Sequence, residues 1–319
     1  MNYVFGIDIG GTTVKCGLFD TEGTLLDKWE IPTNCADGGA SVPRDIVAAL
    51  QSKMQEKKIA REQLLGAGVG VPGPVTADGT VLQCANLGWG IFNVNRIMTE
   101  LLGAPVVAGN DANVAALGEM WKGGGQGYRD IVMVTLGTGV GGGIVLNGKI
   151  LAGSNGAAGE IGHMVMNPEE KRTCGCGGHG HLEQYASATG IAYLAKQRLE
   201  ESGQASSLRG VEPLRAKEVF DHAKAGDALA LALVDEVCRI LALALSHVAA
   251  VVDPEAFVIG GGVSKAGSIL TDTLKKHYGE NLLNALQNKE FCLATLGNDA
   301  GMYGSAKMIL DKVREGSVQ

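Results

Sequence analysis

Apolar residues recur along this chain in short runs at the spacing of strands and in longer stretches at the spacing of helices. Residues 3–8 and 14–19 are apolar runs flanking Gly10-Gly11-Thr12-Thr13, which reads as a strand, a tight turn and a second strand. Thr21-Glu22-Gly23 turns the chain into a third strand that runs through Ile31. Ile46, Val47 and Leu50 share one face of a helix over residues 42–57. Residues 68–71 form a buried strand stopped by Pro72-Gly73-Pro74, and residues 105–108 form another. Asn110-Asp111 then precedes a helical stretch over 112–121, which glycines in 123–127 break.

The second half opens as the first did. Residues 131–136 read as a strand, 137–143 as a glycine-rich turn and 144–146 as a second strand. Ile9-Gly10-Gly11-Thr12 and Leu136-Gly137-Thr138-Gly139 thus hold the same place in two strand–turn–strand units, a short match that suggests internal duplication. Helices follow over 184–201, 216–224, 228–252 and 269–286, with strands at 256–259 and 291–295 between them. A last helix over about 302–313 closes the chain. The pattern predicts two related α/β domains facing each other across a cleft. We place a small one at residues 1–121, joined by the C-terminal segment 302–319, and a large one at 122–301.

A length of 319 residues supports this division, because one hydrophobic core rarely serves so long a chain. Hydrophobic residues make up 45% and charged residues 19%, the composition of a soluble globular protein. Its net charge of −7, with no basic patch interleaved with aromatics, argues against a nucleic-acid ligand. The most apolar stretch, 228–252, is interrupted by Asp235, Glu236 and Arg239 and reads as a buried helix, so no membrane span is expected. Residues 1–9 run directly into a strand without the pattern of a secretory leader, and a cytoplasmic location is expected. The seven cysteines are scattered except for Cys174 and Cys176, which suits a reducing compartment with one metal site.

The 48 glycines change the picture most. Gly10 and Gly11 follow Asp8 at the end of a buried strand, where a backbone without side chains can approach an anion and aim N–H groups at it. Asp8 is placed to hold Mg²⁺ through water. A plain hairpin turn explains this one loop equally well. Leu136 to Gly143, with Gly137, Thr138 and Gly139, supplies a second such loop, and Gly260-Gly261-Gly262 a third. Three strand-terminal glycine turns in one chain favour a nucleotide site.

Asn110-Asp111 sits where a helix cap is expected, and capping alone accounts for the pair. The functional alternative makes Asp111 a general base that takes the proton of a hydroxyl during phosphoryl transfer. Asn110, Glu160, His163 and Glu183 would then line a pocket for a polyol, although each glutamate alone is more readily a solvated side chain. Cys174-Gly175-Cys176-Gly177-Gly178-His179-Gly180-His181 carries two thiolates and imidazoles on glycine spacers, fit to wrap a tetrahedral structural Zn²⁺. His163 is the preferred fourth ligand, with His179 as its competitor.

These motifs resemble those of the ROK family (repressors, open reading frames and kinases), above all its bacterial glucokinases, over essentially the whole chain. Asp8-Ile9-Gly10-Gly11-Thr12 resembles the family's first phosphate loop, Leu136 to Gly143 its second and Gly260-Gly261-Gly262 its adenosine-side loop. Glu160-Ile161-Gly162-His163 resembles the family's ExGH element. Cys174 to Glu183 resembles its CxCGxxGCxE zinc motif, except that His181 stands where a third Cys is usual, so two Cys and two His are expected as ligands. The resemblance implies an actin-like (ribonuclease H-like) two-domain sugar kinase fold with the site in the cleft. It implies Asp111 as catalytic base, Asn110, Glu160, His163 and Glu183 as sugar ligands, Mg²⁺ and ATP as donor, and a homodimer or homotetramer. ROK repressors carry an N-terminal helix-turn-helix, for which the loop at Asp8 leaves no room. Glucose is the expected acceptor. N-acetylmannosamine, N-acetylglucosamine or fructose is the alternative, and a sugar sensor without turnover is the alternative in kind.

Overall fold

The computed structural model describes residues 1–84, 86–279 and 282–316. They divide into two compact units, one made of residues 1–129, 143–159 and 296–319 and the other of 130–142 and 160–295. The last three positions of the first unit lie outside the described residues.

The first unit opens with strands β1 (Tyr3–Ile9), β2 (Thr13–Asp20) and β3 (Leu25–Pro32), followed by helix α1 (Val42–Glu56) and strand β4 (Leu64–Val71). A two-residue ladder of β5 (Thr80–Val81) with β6 (Phe92–Asn93) leads into helix α2 (Val94–Leu102), strand β7 (Val106–Asn110) and helix α3 (Asp111–Lys122). The sheet order is β3-β2-β1-β4-β7. β1 and β2 form the antiparallel hairpin expected from the glycine turn, whereas β1, β4 and β7 run parallel. Asp8 pairs with Gly70, and Gly70 with Gly109, so the ends of β1, β4 and β7 fall on one edge of the sheet. Carboxyl ends of parallel strands are where α/β sheets bind ligands.

Beyond it come β8 (Ile131–Leu136), β9 (Val140–Leu146), β10 (Lys149–Ile150), α4 (Glu183–Ala186), α5 (Ala188–Glu201), α6 (Ala216–Lys224) and α7 (Ala228–Val252). They are followed by β11 (Ala256–Gly260), α8 (Ser268–His277), α9 (Asn284–Gln287), β12 (Glu290–Leu293) and α10 (Ala300–Gly316). The second sheet has the order β10-β9-β8-β11-β12, with β8, β11 and β12 parallel. Each sheet therefore arranges its strands as third, second, first, fourth, fifth, the architectural counterpart of the repeated strand–turn–strand motif. Among the described residues no helix is long and apolar enough to cross a membrane.

Helix α10 belongs to the first unit, where Met302, Ala306, Ile309 and Leu310 pack with Val4 and Phe19. It meets α3 backbone to backbone. A Cβ on Gly304 would stand 1.7 Å from the Val114 carbonyl oxygen, and one on Gly118 would stand 2.2 Å from that of Ala300.

Three expectations need correction, and one helix was missed. The helix expected over 184–201 is two helices, because Ser187 is extended and its hydroxyl accepts from the Gly190 N–H at 3.0 Å, capping α5. The helix expected over 269–286 ends at His277, where Tyr278 turns extended, and positions 280 and 281 lie outside the described residues. The glycine-rich turn expected over 137–143 is shorter, since β9 begins at Val140. Gly143 within that strand leaves room for α3, for a Cβ there would lie 2.6 Å from the Ala112 carbonyl oxygen. Helix α2 was not anticipated, although Val94, Met98 and Leu102 recur on its buried face between an Asn93 cap and Gly103 at φ 68°.

Candidate active site

The residues singled out in the sequence fall into two sets, one in each unit. In the first unit the turn between β1 and β2 carries Gly10, Gly11 and Thr12. The Gly10 N–H donates to the Thr13 carbonyl, and Thr33 reaches back to the turn, its hydroxyl donating to the Gly10 carbonyl at 2.7 Å and its N–H to that of Thr12 at 2.9 Å. Asp8 lies just before this turn, with its carboxylate against Gly301 of α10. Burial, reinforced by the negative charge of Asp111, pushes the Asp8 carboxyl up to about 6, while Lys15 opposes the shift.

Asn110 and Asp111 occupy the junction of β7 and α3. Asn110 caps the helix, its Oδ1 accepting from the Asn113 N–H at 3.1 Å, as capping preference predicts. Its Nδ2 is also used, donating to the Gly73 carbonyl at 3.0 Å and to Asp111 Oδ1 at 3.1 Å. Asp111 Oδ1 accepts in addition from the Ala112 N–H at 2.8 Å. The pair thus caps the helix and presents a carboxylate near Asp8 at the same sheet edge. The two readings of Asn110-Asp111 are compatible.

In the second unit Leu136 ends β8 and the turn Gly137-Thr138-Gly139 follows, closed by a bond from the Gly137 N–H to the Gly139 carbonyl at 3.0 Å. Gly261 emerges beside it at φ 82°, so close that a Cβ would stand 2.5 Å from the Leu136 carbonyl oxygen. Gly262 opens onto a cavity of about 330 Å³ lined by Ala188, Arg215, Phe220, Val263 and Lys265. Its apolar walls and flanking cations suit a base carried on phosphates. Arg215 and Phe220 had no sequence motif to mark them; they reach the cavity because α6 packs beside α7.

Glu160 and His163 lie on one short turn, with carboxylate and imidazole 3.9 Å apart. Glu183 heads α4, so it is a helix-terminal residue and not part of a glycine segment. One Glu183 oxygen accepts from the Cys174 thiol at 2.8 Å, and the other would stand 2.6 Å from a Cβ on Gly139. One carboxylate therefore touches the cysteine loop and closely approaches the second glycine turn. Burial, with this hydrogen bond to Glu183 adding, pushes the Cys174 thiol up to about 11.

His163, Cys174, Cys176 and His181 converge, each offering a ligand atom within 4.8 Å of all the others. The donor set, two sulfurs and two imidazoles, fits zinc. His179 does not join them, for its Nδ1 lies 2.9 Å from the Arg172 carbonyl. The loop is braced by Gln184, whose Oε1 accepts from the His181 N–H at 3.0 Å and whose Nε2 donates to the Arg172 carbonyl at 3.0 Å. Arg172 in turn is clamped by Glu170 and lies over the ring of Tyr193, 4.0 Å from its centroid. None of Gln184, Arg172 and Glu170 was singled out in the sequence.

The sequence model of the ROK family matches residues 4–312. A glucokinase of Halalkalibacterium halodurans is 44% identical over 98% of this chain and 96% of its own. Among solved structures, a ROK hexokinase from Thermus thermophilus is 31% identical over 98% of this chain and 100% of its own, with a TM-score of 0.78. A ROK family glucokinase from Streptomyces griseus, solved with glucose and AMPPNP, is 33% identical over 96% of this chain and 99% of its own, with a TM-score of 0.69. The fold is the actin-like one of these sugar kinases.

Proposed function

This chain belongs to the ROK family, and on that premise we propose that it is a glucokinase, transferring the γ-phosphoryl group of ATP to the 6-hydroxyl of glucose. Asp111 takes the hydroxyl proton as the oxygen attacks phosphorus in line. Asn110, Glu160, His163 and Glu183 hold the sugar hydroxyls. Backbone N–H groups of the turns at Gly10-Gly11-Thr12 and Gly137-Thr138-Gly139 face the phosphates, and Gly261 and Gly262 flank the adenosine. Asp8 would hold Mg²⁺ through water, an ion that offsets charge on the phosphates.

The observation that carries the chemistry is the proximity of Asp8 and Asp111 at the carboxyl ends of the parallel strands β1, β4 and β7, near enough for the charge of Asp111 to raise the proton affinity of Asp8. A carboxylate for the metal and a carboxylate for the acceptor proton are the two acids the reaction needs. His163, Cys174, Cys176 and His181 would hold a structural zinc with all four places filled by protein, which shapes the loop between Glu160 and Glu183 and leaves the ion no part in the transfer.

The test is ADP release from Mg·ATP, coupled to NADH oxidation, across glucose, N-acetylmannosamine, N-acetylglucosamine, mannose and fructose. A clear preference for glucose in kcat/KM is expected. Preference for another sugar would move the assignment to that kinase, and silence with every sugar, from zinc-loaded protein that still binds glucose, would make the protein a sensor.

A further inference from the structure

Each glycine turn is held from outside by a threonine hydroxyl and a backbone N–H that donate to its carbonyls. In the first, Thr33 makes two bonds to the turn: its hydroxyl donates to the Gly10 carbonyl at 2.7 Å, and its N–H to the Thr12 carbonyl at 2.9 Å. In the second, Ala188-Thr189 supplies two bonds of the same kind, though to the first and second carbonyls of the turn and from two residues in place of one. The Thr189 hydroxyl donates to the Thr138 carbonyl at 2.7 Å, and the Ala188 N–H donates to the Gly137 carbonyl at 2.8 Å.

The geometry of the peptide makes these bonds consequential. Within a planar trans peptide the C=O and N–H point to opposite sides. A hydroxyl that draws the Gly10 carbonyl one way therefore turns the Gly11 N–H the other way. Likewise the bonds to Gly137 and Thr138 turn the N–H groups of Thr138 and Gly139 away from α5. Among the described residues none of these three N–H groups is given a partner. A turn rich in glycine has little of its own to fix such an orientation, since its φ and ψ are the least restricted in the chain.

The start of α5 places the second anchor. Ser187 Oγ and Thr189 Oγ1 lie 3.0 Å apart, and each has one proton. Ser187 donates its proton to the Glu183 carbonyl at 2.5 Å and accepts from the Gly190 N–H. Thr189 keeps its own proton, and of its two neighbouring acceptors, the Thr138 carbonyl at 2.7 Å and Ser187 Oγ at 3.0 Å, the carbonyl is the closer, while the cap of α5 sets the position from which it donates.

We propose that Thr33 and Thr189 are positioning residues for the nucleotide, each holding a turn carbonyl so that the next N–H faces a phosphate oxygen. The assignment rests on the nucleotide reading above, and it makes these hydroxyls matter for ATP without touching it. Valine keeps the shape of threonine and removes the donor; serine restores the donor.

The experiment is steady-state kinetics of Thr33→Val, Thr189→Val, Thr33→Ser and Thr189→Ser, with Mg·ADP affinity by calorimetry. Each valine variant is expected to raise KM for Mg·ATP and Kd for Mg·ADP roughly three- to tenfold, the worth of one net hydrogen bond. KM for glucose should change less than twofold, and the serine variants should bind nucleotide nearly as the unsubstituted protein does. Unchanged nucleotide affinity in both valine variants would overturn the assignment and leave the kinase reading intact. A parallel rise in both KM values with a lowered Tm would also overturn it, since the hydroxyls would then hold the fold and not the turn. If the unsubstituted protein bound no nucleotide, the functional reading would fail and this assignment with it.

Discussion

The sulfur of Cys174 lies 2.8 Å from a carboxylate oxygen of Glu183, the thiol donating while it keeps its proton, so a proposed zinc ligand and a proposed sugar ligand are in direct contact. Whatever moves the cysteine loop therefore reaches the carboxylate. Cys174→Ser should lower zinc content from about one ion per chain to a small fraction of that, because a hydroxyl is a poor zinc ligand. KM for glucose should rise roughly 10- to 100-fold, the usual cost of disturbing groups around a metal site, while KM for ATP moves less. Metal analysis beside initial rates decides it. Full activity in protein stripped of zinc would show that the loop holds Glu183 unaided.

Asp111→Asn separates the proton's role from the structural one. Asparagine keeps an Oδ1 that can accept from the Ala112 N–H, so the start of α3 should survive the change. What it loses is the capacity to take a proton. The expected outcome is a fall in kcat of roughly 10²- to 10⁴-fold with the Kd for glucose, measured by calorimetry, within about threefold of the original. Wild-type turnover would remove Asp111 from the role of base.

The Cys/His cluster was readable in the chain because Cys174, Cys176 and His181 sit within one short loop with His163 shortly before it, and the glycine turns because each follows its own strand. Neither needed knowledge of distant contacts. Thr33, Gln184 and Arg172 were invisible for the opposite reason. Each acts by a bond to a backbone carbonyl or N–H, and a backbone acceptor leaves no mark on residue type. Thr33 serves a turn twenty-three positions earlier, and Thr189 one fifty-one positions earlier. Helix α2 is a different case, since its cap, its buried face and its terminal glycine were all present in the sequence. Tertiary packing also decided Gly143, which reads as turn but serves in β9 because α3 needs the space.

The clamp on Arg172 should show in the acid limb of stability. Glu170 accepts from Arg172 Nε at 3.1 Å and Nη2 at 2.9 Å, from the Arg172 N–H, and from the Tyr185 hydroxyl at 2.9 Å. These bonds, those from the Arg172 side chain foremost, hold its carboxyl down at about 2 against the opposing effect of burial. A depressed acid stabilises the fold fully above its unfolded pKa of about 4.3 and loses that contribution as pH falls through about 2. Glu170→Gln should therefore cost about 1.5–3 kcal/mol at pH 7, the range for hydrogen bonds to a charged group, and the difference should shrink toward pH 2. Denaturant melts of both proteins at several pH values measure it. A deficit constant with pH would mean that shape, and not charge, is what Glu170 provides.

Gln184 offers the sharpest test of how the metal loop keeps its form. Its carboxamide accepts from the His181 N–H and donates to the Arg172 carbonyl at once, joining the two ends of the loop that holds Cys174 and Cys176. Gln184→Met fills the same nearly closed space and makes neither bond. Gln184→Glu keeps the acceptor for His181 but sets a carboxylate against the Arg172 carbonyl, an acceptor facing an acceptor. Zinc affinity, measured by competition with a chromophoric chelator, should fall about tenfold or more in the methionine variant. The glutamate variant should not recover it, because the lost bond is the one that needs a donor. Equal affinity in all three proteins would mean that the backbone pairing of Thr173 with His179 closes the loop by itself.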